Sequence, residues 1–514
     1  MTGKTLRSAL LVSLLVLELS GCMSGPNYRV PDNAAALAPA AQRDFVGGGD
    51  AIYSQASLPD QWWSLYDDPR LNAFVLEALK ANTDLRAADA NLRRASELVQ
   101  EAEAARSIQT NISTSAAAAH VGGYTLAQPG APYTYVLGMS LSLPLDLAGG
   151  IRRGIEAANA NAEAAQAARD HVRVVVAAAV TRAYANACSA NRTLAAMKHV
   201  LDVQRETLDV TRRLAASGRG TVFDVSRARA AANESEAAIP AIVATRQAAL
   251  LELAALMGRV AADYPKELDD CIQPPELKRA LPIGDGWQLI QRRPDIRKAE
   301  CNLAAMTAMI GVETAQLYPQ VSLGGSAGFA GQFSAISSAN FGGSIGPLLS
   351  WNMPNRTAVR ARIAEASAGA DAALADFDGS VLQALKQTES ALSAYSQEIN
   401  RERSLAQARG DAENASEQAN RLFRFGRTSF IDVLSAESAL ANVESSLASS
   451  RAQLIDRQID LFLALGGGWK DPPFTGSSEP GTELGASVDV GLPVNSTKER
   501  LNKRPVGAIS ILAR

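Results

Sequence analysis

Aromatic residues are scarce in this chain. They make up 5% of its 514 residues, although hydrophobic residues make up 47%. Alanine supplies much of the difference, and small side chains of high helix propensity favour long helices packed closely together. No apolar run approaches the roughly 18–20 residues of a membrane-spanning helix. The sequence therefore predicts that any crossing of a bilayer is made by strands.

Histidine is also scarce, and the net charge is small. The three histidines are too scattered to indicate a metal site, and no glycine-rich phosphate loop with a lysine is present. The formal net charge of −3 gives no sign of a nucleic-acid partner. Gly324–Gly328 matches the G-x-S-x-G nucleophile elbow, but a strand pattern runs through Ser326 and every histidine precedes it. We expect no enzyme activity and no cofactor.

Cysteine is the third scarce residue, with four in the chain. Beyond Cys22, three thiols remain, at Cys188, Cys271 and Cys301. They cannot all pair within one chain, and two of them lie in helical patterns. We therefore expect no disulfide framework.

The N-terminus reads as a targeting segment over residues 1–21. Lys4 and Arg7 precede a short apolar stretch, and Leu19–Cys22 resembles a bacterial lipobox. This predicts a lipoprotein acylated at Cys22, palmitate included; the alternative is a plain secretory signal with a chance cysteine. Met23, not an aspartate, follows the cysteine, which resembles the pattern of lipoproteins that are sorted to the outer membrane. Residues 22–61, rich in Ala, Pro and Gly, are predicted to form a lipidated tether rather than a fold.

The chain contains an internal duplication. Arg213-Leu214, Gly218-Arg219, Asp224-Val225 and Gly258 recur as Arg421-Leu422, Gly426-Arg427, Asp432-Val433 and Gly466. Every member is displaced by the same 208 positions, without a gap. A chance match of this kind is very improbable. We predict a first repeat over 62–258, a proline-rich equatorial connector over 259–286, a second repeat over 287–469, and a disordered tail over 470–514.

Each repeated segment predicts a helix, a tight turn and a second helix. Gly218 and Gly426 can take the left-handed C-cap conformation. Thr221 and Ser429 stand three residues before an aspartate, which is capping-box spacing. The simplest interpretation is a helical hairpin in a bundle. We predict long helices over 150–217 and 355–425, each about 100 Å, and return helices over 221–258 and 429–465.

Four strands are predicted, over 108–120, 133–143, 320–330 and 341–351. Tyr133–Leu143 alternates for about eleven residues, the length of a tilted transmembrane strand. Its two tyrosines suit a membrane interface. A half-buried strand of a soluble sandwich would alternate in the same way. The residues that we place facing a wet lumen are Thr134, Ser140, Ser142, Ser322 and Ser326.

Four membrane strands cannot close a barrel, because about eight is the practical minimum and hydrocarbon does not tolerate open edges. Several chains must then pool their strands; two would supply eight and three would supply twelve. The predicted fold class is an α+β membrane protein, a β-barrel continued by a long barrel of helices.

Several motifs resemble one family. They are Leu19–Cys22 with Gly25–Tyr28, Trp62-Trp63 with Asp67–Pro69, Arg292–Arg297 with Ala299-Glu300, Tyr318-Pro319, and Gly426 followed by Asp432–Leu434. The chain resembles the outer membrane factor (TolC-like) lipoproteins, efflux channels of the RND/NodT type, over residues 20–469. The resemblance implies a homotrimer with a 12-stranded transmembrane β-barrel (four strands per chain) and an α-helical periplasmic barrel. It places the protein, lipid-anchored, in the outer membrane of a Gram-negative bacterium.

The resemblance also implies a function. The chain would be the passive exit duct of a tripartite system for drugs, toxic compounds or metals. It would work with a periplasmic adaptor (membrane fusion protein) and an inner-membrane transporter of the RND type. The alternatives are a duct for type I protein secretion and a structural lipoprotein without a pore. The implied docking and gating tip comprises Gly218, Arg219, Thr221, Asp224, Gly426, Arg427, Thr428 and Asp432.

The tip departs from the family pattern in one respect. Members often place an acidic residue just after the tip glycine, where it forms a constricting ring. Here those positions hold Gly220-Thr221 and Thr428-Ser429. The ring is therefore absent or falls to Asp224 and Asp432, for which helix capping is the alternative. Arg219 and Arg427 would pair with the adaptor or remain solvated surface charges.

Overall fold

The computed structural model describes residues 23–118, 133–332, 340–351 and 356–467. Cys22, the signal segment and the tail lie outside these residues. Two similar halves follow each other. The first contains α1 (Pro69–Ala81), α2 (Thr83–Ala104), β2 (Gln109–Ala118), β3 (Tyr133–Leu145), α3 (Gly150–Ala216) and α4 (Val222–Leu256). The second contains α5 (Gly286–Arg292), α6 (Pro294–Ala315), β5 (Gln320–Gln332), β6 (Asn340–Ser350), α7 (Arg356–Arg424) and α8 (Phe430–Leu465). The two-residue strands β1 (Tyr53–Ser54) and β4 (Leu281–Pro282) pair in parallel.

The long helices α3 and α7 contain 67 and 69 residues. At 1.5 Å per residue each is about 100 Å long. Small residues let α3 approach its neighbours closely: Ala177, Ala183 and Ala187 are fully or almost fully buried. Helices of this length gain most of their stability from such packing rather than from propensity.

The four longer strands form one antiparallel sheet in the order β2-β3-β5-β6. The β3–β5 pairing continues through Pro144, opposite Ser322, to Leu145. The prediction that this strand ends at residue 143 is therefore wrong. Pairing with β2 has already stopped at Ser142, so Pro144 lies where β3 is an edge, and an edge tolerates a residue without an N–H group.

One described helix, α4, is long and apolar enough to cross a membrane by length and composition alone. This corrects the expectation that no apolar stretch reaches such a length. Much of the apolar character of α4 comes from alanine, and the helix contains Pro240. It runs back from the turn at Gly218 and packs along α3, which accounts for its alanines as contacts between helices.

The main hydrophobic core lies around the middle of the long helices. Trp62 is fully buried and stacks on Phe462, with ring centroids 4.5 Å apart. Tyr66 packs edge-on against the same phenylalanine. Asp68 accepts hydrogen bonds from two backbone amides at the start of α1. The segment from Trp62 to Pro69 thus joins α1 to α8.

Residues 23–61 are not the unfolded tether that their composition predicts. Glu389 of α7 accepts hydrogen bonds from the backbone amides of Val46 and Gly47 at 2.7 and 3.0 Å. Tyr53 donates to the Leu392 carbonyl at 2.7 Å, and Phe45 is buried. Side chains of α7 satisfy the backbone groups of an irregular segment, which lets it pack along the helix.

A disulfide joins Cys188, in the middle of α3, to Cys271 in the connector. The expectation that the chain has no disulfide is therefore wrong, while Cys301 is free and buried. The connector is also fixed by Asn191, which donates to the Leu268 carbonyl at 2.9 Å. Spacing alone could not show that the proline-rich connector folds back onto the long helix.

Candidate functional site

One face of the sheet is apolar on all four strands. In register, Leu137, Phe329 and Phe341 form one row, and Leu141 and Ile345 belong to another. These side chains are exposed in the single chain. The other large apolar side chains on this face that are exposed are Ile112, Met139, Leu145, Leu323 and Leu349. No residue of the four strands is charged. An apolar, uncharged outer face is what a lipid-facing strand requires.

The opposite face consists mainly of small and polar side chains, with Val136 and Leu348 as its large apolar exceptions. Asn111, Ser140, Ser326 and Ser344 form one row across all four strands. Two hydroxyl oxygens of this row, on Ser326 and Ser344, are 2.8 Å apart. Ser142 and Ser322 share the face, as predicted, while the side chain of Thr134 lies outside the described part. Such a face suits water rather than lipid.

Aromatic residues mark both ends of the sheet. Phe329 and Phe341 pack together at the end remote from the helices, with centroids 5.2 Å apart. At the helix end, Tyr318 and Trp351 are exposed. The Trp351 indole nitrogen donates to the Leu317 carbonyl at 3.2 Å. Amphipathic rings in such positions are typical of membrane interfaces.

The two hairpin turns have the same backbone geometry. Gly218 and Gly426 adopt φ angles of +72° and +69°. The amides of Arg219 and Arg427 each donate, at 2.9 Å, to a carbonyl five residues earlier, on Leu214 and Leu422. This closes the end of the long helix as a Schellman motif does.

Asp224 and Asp432 cap the return helices. Thr221 and Ser429 each accept a hydrogen bond from the aspartate amide, and the carboxylate accepts one back from their own amide at 3.1 Å. In the second turn Thr428 also donates to Asp432 at 2.7 Å. Hydrogen bonds from Ser429 and Thr428 lower the pKa of Asp432. The structure thus shows the capping geometry for both aspartates.

Large apolar side chains surround the turns, and the sequence pattern did not single them out. Val222, Phe223 and Phe425 are 81%, 65% and 75% exposed. Arg227 lies over the Phe223 ring, 5.6 Å from its centroid. The signal available in the sequence was the occurrence of a phenylalanine directly beside each turn.

No catalytic arrangement forms around the G-x-S-x-G segment. Ser326 lies in the middle of β5, with strands on both sides, whereas a nucleophile elbow needs a strand-turn-helix. Within the described ranges, no group of three His, Cys, Asp or Glu residues could hold a metal ion.

Comparison with known proteins identifies the family. The family model described as outer membrane efflux protein matches residues 75–259 and 287–467. The chain therefore belongs to the outer membrane efflux protein family. It is a channel protein of the outer membrane with a periplasmic helical extension, not an enzyme.

The chain aligns with individual relatives over nearly their full lengths. Nodulation protein T of Rhizobium leguminosarum bv. trifolii is 29% identical over 458 residues, covering 88% of this chain and 96% of the relative. The probable efflux pump outer membrane protein TtgC of Pseudomonas putida is 27% identical over 480 residues, covering 90% and 96%. The solved outer-membrane channel OprN is 34% identical, with a TM-score of 0.79, covering 87% of this chain and all of that one. The predicted family and fold class are confirmed.

Proposed function

We propose that this chain is the outer membrane exit duct of a tripartite efflux system for small molecules, such as drugs, toxic compounds or metals. The observation that carries the proposal is the sheet. It has one apolar face and one face of mainly small and polar side chains, and helices of about 100 Å extend from one of its ends. A duct does no chemistry, so the energy would come from an inner-membrane transporter of the RND type.

The working form is a homotrimer. Within the described residues, β2 and β6 each pair on one side only. Open edges are not tolerated in hydrocarbon, so the edges of one chain must pair with those of another. Three chains give a closed barrel of twelve strands with cyclic symmetry. The apolar face then meets lipid, and the row from Asn111 to Ser344 faces the lumen.

The periplasmic adaptor docks on the two turns. Phe223 and Phe425 supply exposed apolar surface there, and Arg219 and Arg427 are exposed cations beside them. Aromatic and arginine side chains are the residues that most often dominate binding at interfaces. The duct opens and closes through movement of the two hairpins relative to each other. Asp224 and Asp432 keep the turns of these hairpins intact.

Cys22 carries the lipid anchor. Although Cys22 lies outside the described residues, Ser24 donates from its amide to the Ala148 carbonyl at 3.1 Å. Arg153, at the start of α3, donates to the carbonyls of Ser24 and Gly25 at 3.0 and 3.2 Å. Ser24, two residues after Cys22, is thus held at the junction of strand and helix, where acyl chains can enter the membrane beside the barrel.

The test is photo-crosslinking in intact cells from an unnatural residue at position 425, followed by mass spectrometry of the adduct. Phe425 is exposed and takes no part in either capping box. Leu98, an exposed residue of α2 near the strand end, is the matched control. We expect the adaptor of an RND-type pump from position 425 and no adaptor from position 98.

Other adducts have distinct meanings. The adaptor of an ATP-driven secretion system would replace small-molecule efflux with protein export. No periplasmic partner, with the protein abundant, would contradict docking at the turns and favour a structural lipoprotein.

A further inference from the structure

Glu437 is a buried carboxyl group about two turns along α8 from the hairpin turn. It is 4% exposed. One of its oxygens, Oε1, accepts hydrogen bonds from Thr207 at 2.9 Å and from Asn420 at 3.1 Å. Thr207 belongs to α3 and Asn420 to α7. This single oxygen therefore connects the first hairpin, α3–α4, to the second, α7–α8.

The other carboxyl oxygen of Glu437, Oε2, differs in its hydrogen bonding. Among the described residues, Glu437 Oε2 is buried and has no hydrogen-bond partner. The same is true of the side-chain oxygen of Gln204. Gln204 precedes Thr207 by three residues, so both lie on the face of α3 that meets Glu437. Two buried acceptors without donors therefore occur in one contact region.

One proton on Glu437 supplies the hydrogen bond that both oxygens lack. An ionised carboxylate can only accept hydrogen bonds, whereas a protonated carboxyl donates one. Protonated on Oε2, Glu437 can donate to the Gln204 oxygen while Oε1 keeps its bonds from Thr207 and Asn420. The contact then has three hydrogen bonds, two of them to α3.

The surroundings favour the neutral form. Burial, the largest cause, raises the pKa of Glu437, and the negative charge of Glu206 raises it further. The bonds from Asn420 and Thr207 act in the opposite direction and are outweighed. One turn away on α8 the residues are apolar, Val433, Leu434, Leu440 and Ala441. The charged residues adjacent in sequence to the contact residues on the other helices are Arg205 and Glu206 on α3 and Arg421 on α7, all exposed. Arg205 pairs with Glu236 of α4 at 3.1 Å.

We propose that Glu437 is a proton-operated latch between the two hairpins of each chain at the periplasmic mouth. When Glu437 is protonated, the latch holds α3 against α7 and α8; when it is ionised, the contact loosens and the hairpins can separate. The proposal rests on the proposed function, because only a duct with a movable mouth needs a latch.

The direction of the pH response follows from linkage. The latched arrangement buries the carboxyl and binds its proton more tightly than a separated, solvated arrangement does. Acid therefore favours the latched form, and this preference is lost as the pH rises through the raised pKa of Glu437. For one proton per chain, the ratio of the two forms changes by at most about tenfold per pH unit.

The experiment measures the distance between the hairpins in the full-length protein. Spin labels are attached to cysteines introduced at Arg213 and Ser435, which are exposed positions on α3 and α8. Of the four native cysteines, Cys301 is buried, Cys188 and Cys271 are paired, and Cys22 is the proposed acylation site. Trimers with one labelled chain give one distance, recorded across pH, and conductance of the same protein is recorded in planar bilayers.

Two variants and a control test the residue. Glu437→Gln imitates the neutral carboxyl, accepting from Thr207 and donating to Gln204, so it should stay latched at every pH. Glu437→Leu removes the contact and should separate the hairpins at every pH. Glu444→Gln, on the same helix but paired with Arg409 at 3.4 Å, should respond to pH as the natural protein does.

The proposal is supported if the distance and the conductance of the natural protein increase with pH and the Glu437→Gln variant shows neither change. It is overturned if the natural protein shows no pH response, or if Glu437→Gln responds as strongly as the natural protein. A distance that changes with pH in a protein without conductance would uphold the latch and contradict the duct, so the two failures are distinguishable.

Discussion

Arg293 and Ala464 close the second repeat: the guanidinium of Arg293 donates to the Ala464 carbonyl, at the C-terminus of α8, at 2.7 Å. The first repeat closes in the same way. Asn82, which precedes α2 as Arg293 precedes α6, donates to the Leu256 carbonyl at the end of α4 at 3.0 Å. Two different side chains thus fill one role, which is to satisfy a helix C-terminus left open after the last turn.

Replacing Arg293 with alanine should be strongly destabilising. The guanidinium is buried and also pairs with Asp295 at 2.6 Å and with Gln387 at 2.9 Å. Its loss would leave the Asp295 carboxylate unpaired and the Ala464 carbonyl with only a 3.4 Å bond from Thr388, at a cost of about 3–5 kcal/mol. The measurement is the thermal transition of the purified protein. Arg297→Ala, at an exposed neighbouring position, should change it little; equal effects would contradict this role.

The same pair predicts an acid dependence. Burial alone would raise the pKa of Asp295, but the hydrogen bonds and charge of Arg293 outweigh it and lower the pKa. The stabilisation is therefore present above the ordinary aspartate pKa and lost as the pH falls through the lowered value. Thermal transitions recorded from neutral to acid pH should fall less in an Asp295→Asn variant than in the natural protein. A parallel fall in both would contradict the assignment.

The disulfide should contribute measurable stability. Cys188 and Cys271 are 83 residues apart in sequence, and opening a long loop typically costs about 2–4 kcal/mol. Replacing both with serine should lower the thermal transition, and a reductant should then have no further effect. Cys301→Ala removes a buried thiol without opening a loop and should leave the reductant sensitivity intact. A serine pair as stable as the natural protein would contradict the prediction.

The contacts of the connector and of residues 23–61 show where sequence reasoning stops. Both segments are rich in proline, glycine or alanine and carry no periodicity, so composition predicts a linker. Their order comes from long-range partners such as Glu389 and Cys188, which no local pattern reveals. Gly218 and Asp224, by contrast, were predictable because turn and cap chemistry is encoded within a few residues.

Glycine at the hairpin turn should resist substitution. Gly426 has a φ of +69°, and an alanine there adopts the left-handed region at a cost of about 1–2 kcal/mol. No neighbouring atom lies near the new methyl group, so backbone conformation alone sets the effect. Gly379→Ala, in the interior of α7 and equally uncrowded, should stabilise the chain by about 0.5–1 kcal/mol. A change in stability of the same sign at both positions would contradict the geometry.

The membrane sheet was the most predictable part, because a period of two over eleven residues fixes both faces of a strand. The pairing between strands was not, since register depends on partners distant in sequence. The observed register places residues 344 and 345 on opposite faces, and this makes a sharp test possible with one substitution at two adjacent positions.

Lysine at Ile345 should prevent assembly, whereas lysine at Ser344 should be tolerated. Ile345 is 84% exposed on the apolar face, where a charge in lipid costs about 2–4 kcal/mol near the membrane centre. Ser344 lies in the row with Asn111 and Ser326, which water would reach, so Ser344→Lys should assemble and shift the channel towards anions. The amount of folded protein in the outer membrane measures the first effect, and the reversal potential in planar bilayers measures the second. The opposite order of tolerance would mean that the apolar face points to the lumen. That arrangement would require the row of serines to meet lipid without water, so the two substitutions decide which face of the sheet forms the duct.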